Sequence, residues 1–253
     1  MRQVQFLGKH FEVSLVAFDA DQMDNVTLFK IKQTKLTLFR KSLLSLALLL
    51  RFYKIAYKLF HNYEKHVKPM LQNKKFDLVV ANDVDTLPLA FSLKGNAKVI
   101  FDAHEYAPRH FEDKLVWRLF FQPFNLHLCK YYIPKVDAML TVGRGLANEY
   151  EKHFKVKPTI ITNAARYHEI TSGPVLENKI RLIHHGIANA SRRLDLMIDM
   201  MKLLDDRFTL DLMLMTSNYA SGQTKTYIDA LKATAAQDPR IKILPSVASK
   251  DVV

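Results

Sequence analysis

Short apolar runs alternate with longer amphipathic segments along most of the chain. In the first 163 residues, six runs predict β-strands, at 12–18, 26–31, 76–81, 98–101, 137–142 and 159–162. Helical periodicity predicts helices between most of them, including 115–132, which we expect Pro123 to interrupt. Strands that alternate with helices form βαβ units, so the pattern predicts an α/β fold with a parallel sheet.

A second unit of the same kind follows a break in this pattern. Residues 163–178 contain Gly173-Pro174 and few large apolar side chains, which is typical of a linker. The alternation of strands and helices then resumes, with strands predicted at 179–184, 208–215 and 241–244 and helices at 193–204 and 224–236. We therefore expect an N-terminal domain over 1–163, a linker over 164–178 and a second domain over 179–253.

Both predicted domains are expected to be incomplete. The second has about 75 residues, which is short for a doubly wound domain. In the first, residues 1–10 predict the end of a helix that no strand precedes.

The segment 36–67 contains neither Gly nor Pro and predicts one long helix. On a wheel at about 100° per residue, most directions are apolar, and a stripe about 60° wide holds Arg40, Arg51, Lys54, Lys58 and Lys65. Three of these charges interrupt every apolar window of about 20 residues, so the helix is not expected to span a membrane. Two interpretations stay open: the stripe meets an anionic membrane surface, or a core helix carries a solvated stripe.

Basic charge is concentrated in the same region. The formal net charge is +12, and residues 30–68 hold ten Lys or Arg against Glu64 alone, which accounts for +9 of it. Such an excess favours an anionic surface or substrate, but no nucleic-acid-binding motif accompanies it, so nucleic acid is not an expected partner. The single cysteine, Cys129, and a start without signal-peptide character favour a cytoplasmic protein, which the basic helix would bring to the membrane periphery.

Polar residues follow the predicted strands at their carboxyl ends, where open parallel sheets bind ligands. They are Asp83, Asp85, Asp102, His104, Glu105, Asn163 and the run His184-His185-Gly186. Asp83 and Asp102 are equally compatible with a role as helix N-caps. The Asp83-Val84-Asp85 run is also compatible with a site that holds a divalent cation against a diphosphate. No glycine-rich phosphate loop is present, and the spacing to His110 does not match a helical zinc site, so neither a cofactor nor a metal is expected.

Four segments of the sequence, in their order along the chain, resemble motifs of the family 4 glycosyltransferases. They are VVANDVDTLP, IFDAHEYAPR, TVGRGLANEY and IITNAARY, and LIHHGIANASRRLDLMIDMM follows them. The resemblance covers most of the chain. It implies the GT-B architecture, with two Rossmann-like parallel-sheet domains facing each other across a cleft. It also implies retaining transfer of a sugar from a nucleoside-diphosphate sugar to a polysaccharide or glycolipid acceptor.

The resemblance implies roles for individual residues as well. Gly186, Arg192 and Arg193 would meet the donor diphosphate, since arginines at a helix start can stabilise the leaving group's charge without a metal. His104 would be a positioning hydrogen-bond partner of the sugar or the acceptor hydroxyl, and Glu105 would orient its imidazole or cap the next turn. The acceptor side of the cleft would be lined by Asp83, Asp85, Asp102, Glu105 and Asn163.

The alternative to these roles is a structural one, in which the arginines are solvated surface side chains and the histidine only hydrogen-bonds loop carbonyls. The family's first strand with its Gly-rich turn would precede Met1, and its pair of donor-binding glutamates would follow Val253. We therefore expect residues 1–253 to be a partial enzyme that shows no transfer alone. Two other functions stay open: a nucleotide-sugar 2-epimerase of the same architecture, and a non-catalytic fragment that binds a membrane or a partner.

Overall fold

The computed structural model describes residues 2–32, 36–164, 167, 169, 171, 173–215, 222–245 and 247. The chain divides into two compact units, 1–164 and 165–253. The predicted linker, 164–178, lies partly outside the described residues.

The first unit begins with a short helix and a pair of parallel strands. Helix α1 (Arg2–Leu7) precedes β1 (Val13–Ala17), which pairs along its whole length with β2 (Val26–Lys30). Apolar side chains of this pair, Val16 and Phe29, pack beside the buried Val67 and Leu71 of a later helix. The pair is therefore anchored to the rest of the unit by apolar contacts on one face.

The predicted helix over 36–67 is wrong, because the segment forms part of three helices. These are α2 (Leu38–Leu49), α3 (Tyr53–Phe60) and α4 (Tyr63–Leu71). The chain turns at Arg51 (φ 59°) and Asn62 (φ 51°), both in the left-handed region that a right-handed helix cannot contain. The five basic side chains therefore do not form one stripe, and the Arg40 guanidinium instead donates to the carbonyl of Leu59 at 3.0 Å.

A four-stranded parallel sheet forms the centre of the first unit. Its strands follow one another in chain order: β3 (Leu78–Asn82), β4 (Lys98–Ala103), β5 (Ala138–Thr141) and β6 (Thr159–Ile160). The helices between them are α5 (Leu87–Leu93), α6 (Leu115–Tyr132) and α7 (Arg144–Phe154). Because all four strands run in the same direction, their carboxyl ends lie at one edge of the sheet.

Pro123 does not interrupt α6, contrary to the expectation from sequence. Proline removes one amide donor from a helix and crowds the preceding turn, at a cost of about 3 kcal/mol. The residues that follow it, Phe124, Leu128 and Cys129, are buried in the core with Phe101 of β4. Full burial of each large apolar side chain contributes about 1.5–3 kcal/mol, so packing offsets the proline.

The second unit repeats the parallel α/β pattern. Its sheet has the order β7 (Ile180–Ile187), β8 (Phe208–Met215) and β9 (Ile241–Leu244), and the helices are α8 (Asp195–Met201) and α9 (Gly222–Ala235). The core is formed by the buried Leu194, Ile198, Met201 and Leu212, among others. The α/β class with parallel sheets is therefore confirmed in both units.

Candidate functional site

The polar side chains of the first unit gather where its parallel strands end. Asp83 directly follows β3, Asp102 and His104 lie at the end of β4, and Asn163 follows β6. Paired strands bring them close: the Asp83 amide donates to the Asp102 carbonyl at 3.0 Å, and the His104 amide donates to the Asp83 carboxylate at 3.3 Å. The sequence placed these four residues at one edge, and the structure brings them together.

The His104 imidazole is held from two sides. The Asn163 side-chain amide lies 3.3 Å from Nδ1, and Oδ2 of Asp102 lies 3.5 Å from Nε2. With the amide donating to Nδ1, the proton of the neutral ring sits on Nε2, which faces the carboxylate. The side chain is 41% exposed, so the ring is fixed in orientation and still open to a ligand.

Asp102 is fixed in turn by a residue that the sequence did not single out. Its carboxylate accepts a hydrogen bond of 2.8 Å from the Gln3 side chain, which projects from α1. Asp102 is buried, and a buried carboxylate needs such donors to remain stable. No local pattern could reveal this contact, because the two residues are 99 positions apart in the chain.

For Glu105, the sequence left two roles open: orienting the His104 imidazole or capping the next turn. Its carboxylate pairs with Nε2 of His110 at 2.6 Å instead. The loop between them is positioned by Tyr150 of α7, whose buried hydroxyl donates to the Glu105 carbonyl at 2.7 Å and accepts from the Ala107 amide at 3.1 Å. Tyr150 therefore holds the loop in place, and the Glu105 carboxylate is engaged by His110.

Asp85 also differs from its expected place beside the other strand-end residues. Its carboxylate accepts a hydrogen bond of 3.0 Å from Tyr63, and its carbonyl accepts one of 2.8 Å from Tyr57. Nδ1 of His61 lies 3.7 Å from the carboxylate. Burial raises the pKa of Asp85 and lowers that of His61 to about 4, so His61 is neutral at pH 7.

The two carboxylates of Asp83-Val84-Asp85 point to different partners, the His104 amide and Tyr63. This separation disfavours the divalent-cation interpretation of the pair. Within the described ranges, no group of three or more His, Cys, Asp or Glu side chains is arranged to hold a metal ion.

Asp83 has a backbone conformation that is unusual for its residue type. Its φ and ψ angles are 63° and 162°, a region occupied almost only by glycine, at a cost of about 1–3 kcal/mol for other residues. Burial raises the pKa of its carboxyl, and the His104 amide opposes that rise. Such strain persists where surrounding structure enforces it, and it is concentrated at functional sites.

We expect Asp83→Gly to be more stable than Asp83→Ala by about 1–2 kcal/mol in urea unfolding. Both variants lose the carboxylate, but only glycine relieves the backbone strain. Equal unfolding free energies for the two variants would show that Asp83 is not strained.

In the second unit, β7 is longer than expected and ends at Ile187, so His184, His185 and Gly186 lie inside the strand. Gly186 has a φ of 150°, which other residues rarely adopt. Nε2 of His184 is buried and has no hydrogen-bond partner in the described structure, and burial lowers the pKa of this ring. The end of β7 thus carries an unsatisfied polar atom, Nε2 of His184, next to Gly186.

The two arginines after β7 have different surroundings. They were expected at a helix start, but Ala190–Arg192 form a 3-10 turn and α8 begins at Asp195. Arg193 (φ 48°) is paired with the Asp195 carboxylate at 2.7 Å. Arg192 has no side-chain partner among the described residues and is close enough to His184 to lower the pKa of that ring. Arg192 is therefore the more available cation of this loop.

Known structures resemble the chain over much of its length. Sucrose-phosphate synthase from Thermosynechococcus elongatus matches with a TM-score of 0.68 and 12% identity, covering 97% of this chain and 64% of that one. Anabaena HepE in complex with UDP and glucose matches with a TM-score of 0.54 and 13% identity, covering 94% and 70%. An S. aureus TarM mutant in complex with fondaparinux, alpha-GlcNAc-glycerol and UDP gives 0.51 and 13%, covering 71% and 36%.

The chain has the GT-B-type fold. At 12–13% identity these likenesses concern the fold alone, and the chain spans 36% of TarM and 64% of the synthase. No protein-family model matches the chain, and no curated protein matches it by sequence. The resemblance found in the sequence motifs and the fold found in the structure therefore agree on the GT-B type.

Proposed function

We propose that the chain is part of a retaining glycosyltransferase, similar to family 4, that moves a sugar from a nucleoside-diphosphate sugar to a polysaccharide or glycolipid. The proposal rests on the position of the His104 ring at the carboxyl edge of a parallel sheet. The ring is fixed between Asp102 and Asn163 and is exposed enough to meet a ligand. A ring held in this way can hydrogen-bond a sugar or acceptor hydroxyl without losing freedom during the reaction, which lowers the barrier. The GT-B-type fold supports the same function.

On the donor side, we propose that Gly186, Arg192 and Arg193 meet the diphosphate. Gly186 has no side chain, so a ligand can approach the backbone closely at the end of β7. Arg192 offers a guanidinium that is paired with no carboxylate of the described structure. UDP is the nucleotide we propose first, because two of the similar proteins were solved with it. No cofactor and no metal enter this proposal, since arginine charge can stabilise the leaving diphosphate.

Transfer itself tests the proposal. The product of the uninterrupted reading frame that contains these residues is incubated with UDP-sugars and candidate acceptors, and UDP release is measured. We expect release to depend on the acceptor and the product to keep the anomeric configuration of the donor, as read by proton NMR. UDP release that no acceptor accelerates would contradict the transferase assignment.

We propose that the protein is cytoplasmic and associates with an anionic membrane surface through 36–67. A specific reason supports this surface: α3 and α6 both pack against α2, and the three helices leave large apolar side chains in solvent. Eight of them are more than half exposed: Leu38, Phe39, Leu46, Leu49, Ile55, Leu115, Val116 and Leu119. Exposed apolar side chains beside Arg51, Lys54 and Lys58 match a bilayer interface with anionic lipid.

We propose that this surface contacts the membrane at its interface with water. Within the part of the chain that the structure describes, every helix is too short or too polar to span a bilayer. Binding through a face of packed helices requires only that apolar side chains enter the interface, while basic ones meet the headgroups.

Leu46→Gln with Leu49→Gln is expected to lower the affinity for phosphatidylcholine–phosphatidylglycerol vesicles by about thirtyfold. Each half-exposed leucine loses roughly 1 kcal/mol of burial in the interface, and the two together about 2 kcal/mol. Leu203→Gln makes the same change at a side chain that is 87% exposed in the second unit, and we expect it to bind as the parent does. The measurement is vesicle co-sedimentation, and equal binding by all three proteins would argue against this surface.

A further inference from the structure

A small basic cavity lies at the junction of α3 and α4, outside the strand-end cluster. Its volume is about 300 Å³, which is large enough for a phosphoryl group and part of its substituent. The side chains that matter for its chemistry are Tyr57, Lys58, Tyr63, Glu64, Lys65 and Lys68. The turn at Asn62, with its left-handed backbone, brings the end of one helix and the start of the next together around this space.

The lining of this cavity has an excess of positive charge. Three lysines face one acid, and Lys68 is paired with Glu64 at 3.4 Å. Lys58 and Lys65 form no ion pair with any residue that the structure describes, and both are exposed. Two unpaired ammonium groups on one cavity attract a dianion far more than a neutral sugar.

The aromatic walls connect the cavity to the strand-end cluster. The hydroxyls of Tyr57 and Tyr63 both donate to Asp85, so the two rings are fixed in orientation. Asp85 follows Asp83 by two residues, and Asp83 contacts the His104 amide. Both tyrosines are therefore linked through Asp85 to the segment that carries Asp83, which accepts from the His104 amide.

The cavity also borders the exposed apolar surface. On α3, Lys58 lies about 60° around the helix axis from Ile55 and one turn further along. Ile55 is 51% exposed and belongs to the apolar side chains assigned above to the membrane interface. An amphipathic molecule whose apolar part lies at that surface can place its polar head in the cavity.

We propose that this cavity binds a phosphomonoester group of the acceptor, with Lys58 and Lys65 as its counter-charges. The inference rests on the proposed transferase function and names the class of acceptor: a molecule that carries a terminal phosphate near the hydroxyl to be glycosylated. The phosphate belongs either to a lipid headgroup or to a soluble phosphate ester. Both sources present the same dianion to the lysines.

The test compares two double variants of equal charge. Lys58→Gln with Lys65→Gln removes the cavity charges, and Lys152→Gln with Lys157→Gln removes two exposed lysines of α7 and the loop after it. Glycerol 3-phosphate is titrated into each protein and into the parent, with binding followed by calorimetry. We expect the cavity variant to bind at least about tenfold more weakly than the parent, and the control variant to stay within about twofold.

Vesicles identify the source of the phosphate. Phosphatidylcholine vesicles containing phosphatidic acid are compared with phosphatidylcholine vesicles in which phosphatidylserine supplies the same surface charge. A preference for phosphatidic acid that the cavity variant loses supports a lipid phosphate, and glycerol 3-phosphate binding without that preference supports a soluble ester. Equal glycerol 3-phosphate affinity in the cavity and control variants, or no binding by the parent, overturns the inference.

A UDP titration on the same samples separates this inference from the proposed function. The cavity variant is expected to bind UDP as the parent does, because neither lysine belongs to the donor loop. Binding of UDP without binding of the phosphate ester would remove only the cavity assignment. Binding of the ester without UDP would remove the transferase assignment and leave a phosphate site.

Discussion

Replacing His104 with alanine is expected to lower the rate of sugar transfer about a hundredfold while leaving UDP binding within about twofold. The His104 ring is oriented by both a carboxylate and an amide, those of Asp102 and Asn163. Loss of a preorganised hydrogen-bond partner of a reacting group costs roughly 10²–10³ in turnover. The substrate's nucleotide has no expected contact with this ring, so its affinity should not change.

His110→Ala is the matched control for this variant. His110 lies six residues further along and is also paired with a carboxylate, Glu105, at 2.6 Å, but among the described residues the His104 ring is bound by Asp102 and Asn163 instead. We expect its effect on turnover to be within about threefold. His104→Gln should recover part of the lost rate, because glutamine retains a donor and an acceptor. Similar turnover in the His104→Ala and His110→Ala proteins would remove His104 from the mechanism.

The second large effect is expected at the loop after β7. Arg192→Ala should raise the dissociation constant of UDP at least about tenfold, since a charged hydrogen bond contributes roughly 1.5–3 kcal/mol. Arg193→Ala should raise it only about threefold, because the Asp195 carboxylate already holds that guanidinium. Arg192→Lys should recover part of the affinity, as a point charge cannot make two parallel contacts with a diphosphate.

Arg207→Ala provides the control for charge in the same unit. Arg207 is exposed and paired with Asp205 before β8 begins, at the opposite end of the strands from Gly186. UDP affinity should be unchanged in this variant. If Arg192→Ala and Arg207→Ala weaken binding equally, the effect is one of net charge and the donor loop has been misassigned.

The strands and their parallel order could be predicted from the sequence because burial on both faces requires continuous apolar runs. Val99 and Phe101 illustrate this, since both are fully buried in β4 and both stand in an uninterrupted apolar run. Once parallel strands are predicted, polar residues at their carboxyl ends are expected at one edge. This reasoning placed Asp83, Asp102, His104 and Asn163 together.

The breaks between the three helices could not be predicted from apolar periodicity. Many helices end at a glycine in the left-handed conformation, and the segment 36–67 contains no glycine. Asn62 carried a signal, because asparagine adopts the left-handed region more readily than other residues with a Cβ. Arg51 carried none: its conformation follows from how α2 and α3 pack, which is a tertiary effect.

Side-chain partners beyond the strand ends were also invisible in the sequence. Glu105 is adjacent to His104 but pairs with His110, and Asp85 is two residues from Asp83 but is bound by Tyr63. Neighbouring residues in a loop project in different directions, so adjacency in sequence does not imply a contact. Only the fold could show that Asp102 and Asn163 are the residues that hold the His104 ring.

The most direct test of the central claim is calorimetric titration of UDP into the protein. It is performed on the product of the uninterrupted reading frame that contains these residues, as parent, Arg192→Ala, Arg207→Ala and His104→Ala. The account predicts saturable UDP binding by the parent, at least about tenfold weaker binding by Arg192→Ala, and unchanged binding by the other two. Absence of UDP binding by the parent protein, or equal affinities in all four, would contradict a nucleotide-sugar transferase with its donor loop after β7.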